Sequence, residues 1–207
     1  TARAMHHVLL AHGRAIEVMR GLGMSNLGAV FNFEWAEPVD QSPEALAAAE
    51  TYDAIYNRFF LGGAFKGAYP QAALKGLEPH LPAGWQDDFE TITQPVDWCG
   101  LNYYTRKVIG PDAGPWPHYA ELDGPFPKTQ MGWEIYPDGL YHFLTRTAQE
   151  YTGDLPLIVT ENGMANPDVL QGGAVHDEAR IAYVEAHLAR VRRAISEGVP
   201  VEGYFLW

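Results

Sequence analysis

Four short apolar runs, each ending in polar or aromatic residues, alternate with helical patterns along this chain of 207 residues. The runs are LGAVFNF (27–33), VDWCGLNYY (96–104), LPLIVTEN (155–162) and VEGYFLW (201–207). The third run is almost continuously apolar, which is typical of a strand covered on both faces in a parallel sheet. Strands that alternate with helices are joined by right-handed parallel crossovers. The sequence therefore predicts an α/β fold.

An eight-stranded barrel needs twice as many strands as this chain offers. Half a barrel leaves two unpaired sheet edges and exposes half of its core to water. The chain also begins inside a helical pattern and stops inside a strand pattern. We therefore expect residues 1–207 to be one partial domain, truncated at both ends.

Apolar residues at helical spacing predict the main helices over 5–22, 42–63, 138–151 and 177–198. Ser42 is the expected cap of the second helix, and the pair Gly62-Gly63 is interpreted as its stop. Asp177 is the expected cap of the last helix, which is amphipathic. Its apolar positions are Ile181, Val184, Leu188, Val191 and Ile195.

Charge and cysteine usage exclude several classes of protein. The formal net charge is -12, with 26 acidic and 14 basic residues, so no basic stripe is available to neutralise nucleic-acid phosphates or an anionic membrane. No apolar run is long enough to cross a bilayer, and no signal peptide is visible. The single cysteine, Cys99, excludes an internal disulfide framework. We expect a cytoplasmic protein.

The polar and aromatic strand ends gather at one mouth of the predicted sheet. They are Asn32, Asn102, Tyr104, Glu161 and Trp207. Amide and carboxylate groups bind sugar hydroxyls, and an indole face stacks on a pyranose. A carboxylate there can attack an anomeric carbon if a donor such as the tyrosine orients it. Simpler interpretations stay open: the tyrosine and tryptophan as core residues, and Asn32 as a loop contact.

No metal or cofactor is predicted. The eight histidines show no ligand spacing, and the adjacent His6 and His7 diverge in direction on a helix. No glycine-rich loop of a phosphate-binding or dinucleotide-binding type occurs. Cys99 lies mid-strand without a histidine partner, so we interpret it as a small buried hydrophobe.

Five segments, in this order, resemble glycoside hydrolase family 1, the β-glucosidases and their relatives. The segments are GLNYYTR (100–106), MGWEIYPDGLY (131–141), IVTENG (158–163), HDEARIAYVEAHL (176–188) and GYFLW (203–207). The resemblance implies a (β/α)₈ TIM barrel, of which this chain supplies the fourth helix to the eighth strand. It also implies metal-free hydrolysis of β-glycosides with retention of configuration.

The resemblance assigns roles to individual residues. Glu161 is expected to be the catalytic nucleophile, and Tyr104 is expected to hydrogen-bond it. Asn102 lies beside the tyrosine in the matching motif, and Trp207 matches a tryptophan that lines the glycone subsite. Asn32 matches an asparagine on the aglycone side.

The segment FNFEWAEP (31–38) departs from the commoner family form. Glu34 and Trp35 in it are therefore candidates for facing the mouth and binding substrate. The family's acid/base glutamate lies in an Asn-Glu-Pro motif that does not occur here. Ala36-Glu37-Pro38 follows the wrong strand and lacks the asparagine, so Glu37 is not assigned that role.

Three functional interpretations follow. The first is a retaining exo-β-glycosidase acting on terminal β-linked glucose or galactose of short glycosides, with this chain inactive alone because it lacks the acid/base glutamate and the N-terminal half of the barrel. The second is a non-catalytic carbohydrate-binding barrel. The third is a glycosidase of another TIM-barrel family, such as an endo-glucanase. The sequence does not separate glucose, galactose, fucose and 6-phospho sugars.

Overall fold

The fold is an α/β arrangement, described over residues 1–207 by a computed structural model. The helices are α1 (Ala2–Gly21), α2 (Pro43–Asp53), α3 (Phe59–Lys66), α4 (Gln71–Leu77), α5 (Phe89–Ile92), α6 (Pro137–Thr147) and α7 (Glu178–Ser196). The strands are β1 (Gly28–Pro38), β2 (Trp98–Pro111), β3 (Tyr119–Leu122), β4 (Leu157–Asn162), β5 (Leu170–Gln171), β6 (Ala174–Val175) and β7 (Val201–Leu206). Short π-helical segments join α2 to α3 and extend α6. None of the helices combines the length and the apolar character needed to cross a bilayer.

The main sheet is parallel, as the sequence predicts. Its strands lie in the order β1-β2-β4-β7, and each pair is parallel. Strand β3 adds an antiparallel pairing to the far end of β2, and β5 and β6 form a small separate hairpin. Strands β1 and β7 each have one edge without a partner. The four predicted strands are therefore confirmed, and β3, β5 and β6 were not predicted because they lie in long polar loops.

One face of this sheet is packed against α6 and α7. Leu101 and Tyr103 of β2 and Val159 of β4 are fully buried there, beside Phe143 of α6. The Phe143 ring also stacks on Phe33 of β1, with centroids 4.6 Å apart. Full burial of one such side chain contributes about 1.5–3 kcal/mol, so this layer contributes substantially to stability.

Of the predicted apolar residues of α7, only Val191 is buried, so the stripe is wrong as a description of most of the buried face. Ile181, Leu188 and Ile195 are 57%, 41% and 49% exposed. The buried residues are Tyr183, His187, Val191 and Ala194. The Tyr183 hydroxyl accepts a hydrogen bond from Asn162, and the His187 ring stacks on Tyr183 at 3.9 Å. The Tyr183 hydroxyl is buried because it finds hydrogen-bond partners in the sheet, whereas Nδ1 of His187 bonds to the Tyr183 carbonyl of its own helix.

Helix ends also differ from the prediction. The Ser42 hydroxyl caps α2, as expected, by accepting a hydrogen bond from the amide of Ala45 at 3.2 Å. Gly62 and Gly63 do not stop the helix, because α3 continues to Lys66. A Cβ atom at Gly63 would lie 2.7 Å from Leu9 of α1, so this glycine permits close helix packing. Gly67, with φ of 60°, ends the helix in the left-handed conformation that glycine adopts most easily.

Candidate active site

A one-residue bulge in β4 brings the glutamate to the open face of the sheet. Val159 and Asn162 are both fully buried on the helix-covered face, although they are three residues apart. Strict alternation would place them on opposite faces. The register between β2 and β4 shifts at this level, and Asn102 pairs with Glu161. The bulge leaves Thr160 and Glu161 together on the open face. Bulges beside active sites often redirect a side chain in this way.

Tyr104 and Glu161 form the central pair of the site. The Tyr104 hydroxyl donates a hydrogen bond to Oε2 of Glu161 at 2.5 Å, between the carboxyl ends of two adjacent parallel strands. Burial, together with this hydrogen bond, raises the pKa of Tyr104 well above its ordinary value. The tyrosine therefore stays a proton donor at neutral pH and orients the carboxylate.

The two asparagines of the predicted site lie in one row with the glutamate. Asn32 pairs with Asn102, and Asn102 pairs with Glu161, across three neighbouring strands. Oδ1 of Asn102 accepts a hydrogen bond from the Thr160 hydroxyl at 2.6 Å. Asn32 is exposed and donates to the Tyr56 hydroxyl at 3.2 Å. Asn32 lines a separate cavity and not the one that Tyr104 lines.

A cavity of about 320 Å³ lies beside the tyrosine–glutamate pair. It is lined by Tyr104, Met131, Trp133, Gly163, Met164, Ala165 and Trp207. The Trp207 side chain is 78% exposed, and the Trp133 ring lies 5.4 Å from the Tyr104 ring. A concave site with aromatic walls and one carboxylate at its edge suits a sugar ring, whose apolar faces stack while its hydroxyls bind polar groups.

Trp133 is the residue of this cavity that the sequence reasoning missed as a site residue. It lies in the long loop between β3 and α6, far along the chain from the strand ends. The signal was present, because Trp133 belongs to the segment MGWEIYPDGLY that resembles the family. The loop of residues 110–136 is expected from the sequence to contact the aglycone through Trp116, but the strand ends alone do not point to Trp133.

Glu34 and Trp35 do not line this cavity. The Glu34 carboxylate accepts a hydrogen bond from the Tyr52 hydroxyl at 2.5 Å, and burial raises the pKa of Glu34. The Trp35 ring stacks on His142 of α6 at 4.5 Å, and its Nε1 donates to Glu37 at 2.8 Å. Trp35 therefore packs on the helix-covered side, in the same layer as the core.

The chain offers no site for a metal ion and no reactive thiol. No three histidine, cysteine, aspartate or glutamate side chains are grouped as metal ligands. Cys99 is fully buried, and burial raises its pKa to about 12. A thiol with such a pKa stays protonated at neutral pH and is a poor nucleophile.

Comparison with known proteins places this geometry among glycosidases. The sequence model described as glycosyl hydrolase family 1 matches residues 1–207. Beta-glucosidase A of Thermotoga maritima is 39% identical over 99% of this chain and 46% of that protein. A 1,4-beta-D-glucan glucohydrolase of Thermotoga neapolitana is 38% identical over 98% of this chain and 48% of that protein. The chain thus spans about half the length of the curated relatives it matches.

A solved structure supports the same fold. The beta-glucosidase of Thermotoga maritima in complex with deoxynojirimycin superposes with a TM-score of 0.94 at 37% sequence identity. The superposition covers 99% of this chain and 47% of that one. The predicted fold class, part of a (β/α)₈ TIM barrel, is confirmed.

Proposed function

Because the chain belongs to glycosyl hydrolase family 1, we propose that it carries the nucleophile of a retaining exo-β-glycosidase. The observation that carries the proposal is the hydrogen bond of 2.5 Å from Tyr104 to Glu161 at the mouth of the sheet. A site that only binds sugars has no need of a carboxylate oriented in this way, which argues against the non-catalytic alternative. The family match over all 207 residues argues against a TIM-barrel glycosidase of another family.

In the proposed mechanism, Glu161 attacks the anomeric carbon, the glycosidic bond breaks, and a covalent glycosyl-enzyme forms. Water then hydrolyses this ester and releases the sugar with its configuration retained. Asn102 lies in the same row and supports the site as a polar neighbour of the nucleophile. Trp207 and Trp133, which both line the cavity, supply the aromatic walls that contact the sugar.

A retaining glycosidase needs a second carboxyl group about 5–5.5 Å from the nucleophile to protonate the leaving oxygen. Glu37 is not suited to this role, because its carboxylate accepts a hydrogen bond from the Trp35 ring on the helix-covered side. We therefore propose that residues 1–207 alone do not hydrolyse glycosides with poor leaving groups. The acid/base group would come from a complementary, N-terminal half of the barrel.

The proposed substrates are short β-glycosides with terminal glucose or galactose. Support comes from the names of the relatives, a beta-glucosidase and a 1,4-beta-D-glucan glucohydrolase, and from the deoxynojirimycin complex of the related structure. A cytoplasmic location belongs to the same proposal. The one cysteine, Cys99, is a free buried thiol, which is compatible with a reducing compartment.

The proposal is tested by expressing the full open reading frame and, separately, the 207-residue chain. Both are assayed on 4-nitrophenyl β-glucoside and on an alkyl β-glucoside, and a 2-deoxy-2-fluoro β-glucoside traps the intermediate for peptide mass mapping. We expect the full protein to be active and the label to lie on Glu161. We expect the separate chain to be inactive on alkyl glucosides, whose poor leaving groups need protonation.

Two glutamate variants of the full protein form a matched pair, in which the first tests the nucleophile and the second is the control. Glu161→Gln should lower kcat by about 10³-fold or more and abolish the label, since it removes the attacking group. Glu90→Gln, at an exposed position on α5, should change neither. A label on another residue would overturn the nucleophile assignment, and an inactive, unlabelled full protein would favour the binding-only alternative.

A further inference from the structure

One side chain of α7 holds the loop that follows the nucleophile strand. Nε of Arg180 donates to the carbonyl of Met164 at 3.1 Å, and Nη2 donates to the carbonyl of Asn166 at 3.0 Å. Nη1 pairs with Asp168 and Asp177, each at 2.8 Å. Asp177 therefore does not cap α7 with its side chain, contrary to the prediction, but binds this guanidinium. The planar fork of an arginine can make all these contacts at once, and a lysine cannot.

The loop held by Arg180 forms one wall of the sugar cavity. Met164 and Ala165 both line that cavity. The carbonyl of Ala165 accepts a hydrogen bond from the amide of Gln130 at 3.0 Å, which joins this loop to the one that carries Trp133. The amide of Thr129 donates to the carbonyl of Trp133 at 2.8 Å, and the Thr129 hydroxyl accepts from the Trp133 amide at 3.3 Å. These hydrogen bonds, with the short backbone segments between them, connect Arg180 to the tryptophan.

The nucleophile itself is held by other contacts. Glu161 is oriented by Tyr104 and by its place in β4, and neither contact involves the loop of residues 163–168. Loss of the guanidinium would therefore loosen the cavity wall without displacing the reacting carboxylate.

We propose that Arg180 is a positioning residue for substrate binding, which sets the wall formed by Met164, Ala165 and Trp133. This inference rests on the function proposed above. A wall that contacts the bound glycoside equally in the ground state and the transition state affects KM and leaves kcat nearly unchanged. The expected signature of Arg180 is therefore a change in KM alone.

A purely structural role for Arg180 would have a different signature. The Arg180 side chain is 30% exposed and lies in the first turn of α7. The helix is anchored to the sheet by other residues, among them Tyr183, Val191 and Ala194, all at most 6% exposed. A residue that served only stability would lower the number of active sites when replaced, with KM unchanged in the enzyme that remains folded.

The test uses three variants in the full open reading frame: Arg180→Lys, Arg180→Met and the control Arg193→Met. Arg193 lies on the same helix, with its side chain 54% exposed and paired with Glu197. Active sites are counted by titration with 2,4-dinitrophenyl 2-deoxy-2-fluoro-β-glucoside, and KM and kcat are measured on 4-nitrophenyl β-glucoside. We expect both Arg180 variants to raise KM by about tenfold, since each loses charge-assisted hydrogen bonds to the loop, with kcat per active site within about threefold.

The Lys variant separates the loop contacts from the ion pairs. It keeps a positive charge near the two aspartates, so it stays informative if Arg180→Met does not fold. A Lys variant with the wild-type KM, or a loss of titratable sites with unchanged KM, would overturn the proposal for Arg180 alone. A wild-type protein that is neither active nor labelled would overturn this proposal together with the proposed function.

Discussion

The two faces of the parallel sheet differ sharply in how they are covered. On the helix-covered face, Tyr103 and Val159 are fully buried beneath α6 and α7. On the open face and its edge, Val30 is 48% exposed, Phe205 is 61% exposed and Trp207 is 78% exposed. The four strands therefore have a buried core on the helix-covered face and an apolar surface in contact with water on the open face.

This difference separates stability from chemistry within a single sheet. The covered face supplies buried area that stabilises the fold, and the open face carries the tyrosine–glutamate pair and the cavity with aromatic walls. Large exposed apolar patches on a protein usually mark a surface that another element covers. In the proposed full-length enzyme, that cover is the complementary half of the barrel.

The largest expected effect compares one phenylalanine from each face. Phe143→Ala removes a fully buried ring that stacks on Phe33, and we expect it to lower the free energy of unfolding by about 3–5 kcal/mol. Phe205→Ala removes a ring that is 61% exposed, and should cost less than about 1 kcal/mol in the 207-residue chain. Urea unfolding followed by circular dichroism measures both.

Repeating the pair in the full open reading frame sharpens the comparison. The cost of Phe143→Ala should stay the same, because its surroundings do not change. The cost of Phe205→Ala should rise to several kcal/mol if the open face becomes covered. An equal, small cost of Phe205→Ala in both proteins would show that nothing covers this face.

A smaller effect concerns pH and a histidine beneath the covered face. Burial lowers the pKa of His187 to about 4, from an unfolded value near 6.5. Above pH 6.5 His187 is neutral in the folded and the unfolded protein. Between pH 6.5 and pH 4 the unfolded chain binds a proton at this residue, and the native protein does not. Stability should therefore fall as the pH drops from 6.5 towards 4, by about 2 kcal/mol at pH 5 from this group.

The His187→Leu variant isolates that contribution. It should lose about 2 kcal/mol less than the wild type between pH 7.5 and pH 5, as measured from urea midpoints at the two pH values. The matched control is His7→Leu, at an exposed helical position on α1. Identical pH dependence in the wild type and the His187 variant would mean that this histidine is protonated in the native protein.

The smallest effect tests the open face by removing one hydroxyl. Tyr104→Phe in the full protein should lower kcat/KM by about tenfold, roughly 1.4 kcal/mol, because the carboxylate of Glu161 loses its hydrogen-bond donor. Its urea midpoint should stay within error of the wild type, since the site lies on the open face. A large loss of stability without a change in kcat/KM would assign Tyr104 to the core instead.

Much of the fold follows from local sequence patterns. Apolar runs such as LPLIV predict the parallel strands, because nearly continuous apolar character is typical of strands that are covered on both faces. The polar ends of those runs also predict the row of Asn32, Asn102 and Glu161, since parallel strands finish at a common edge. The family motifs name the tyrosine partner of the glutamate.

Long-range contacts account for what the sequence did not predict. Helical periodicity predicts Ile181 and Leu188 on the buried face of α7. Tyr183 is buried there instead, because Asn162 in the sheet donates a hydrogen bond to its hydroxyl. Trp35 looks like a mouth residue in the sequence, and the stacking of His142 draws it to the helix side. Both outcomes depend on residues far away in the chain, which no local pattern contains.

The register shifts at the rim of the sheet also indicate where the sequence tolerates insertions and deletions. Between β1 and β2 one extra residue enters β2 after Tyr103, and between β2 and β4 Thr160 is the extra residue. Below this level, a single inserted codon would turn every following side chain to the wrong face. At the rim the pairing already accommodates an unmatched residue. Insertions and deletions are therefore best tolerated in the loops beyond the rim, so these loops are free to diversify while the strands beneath keep their length.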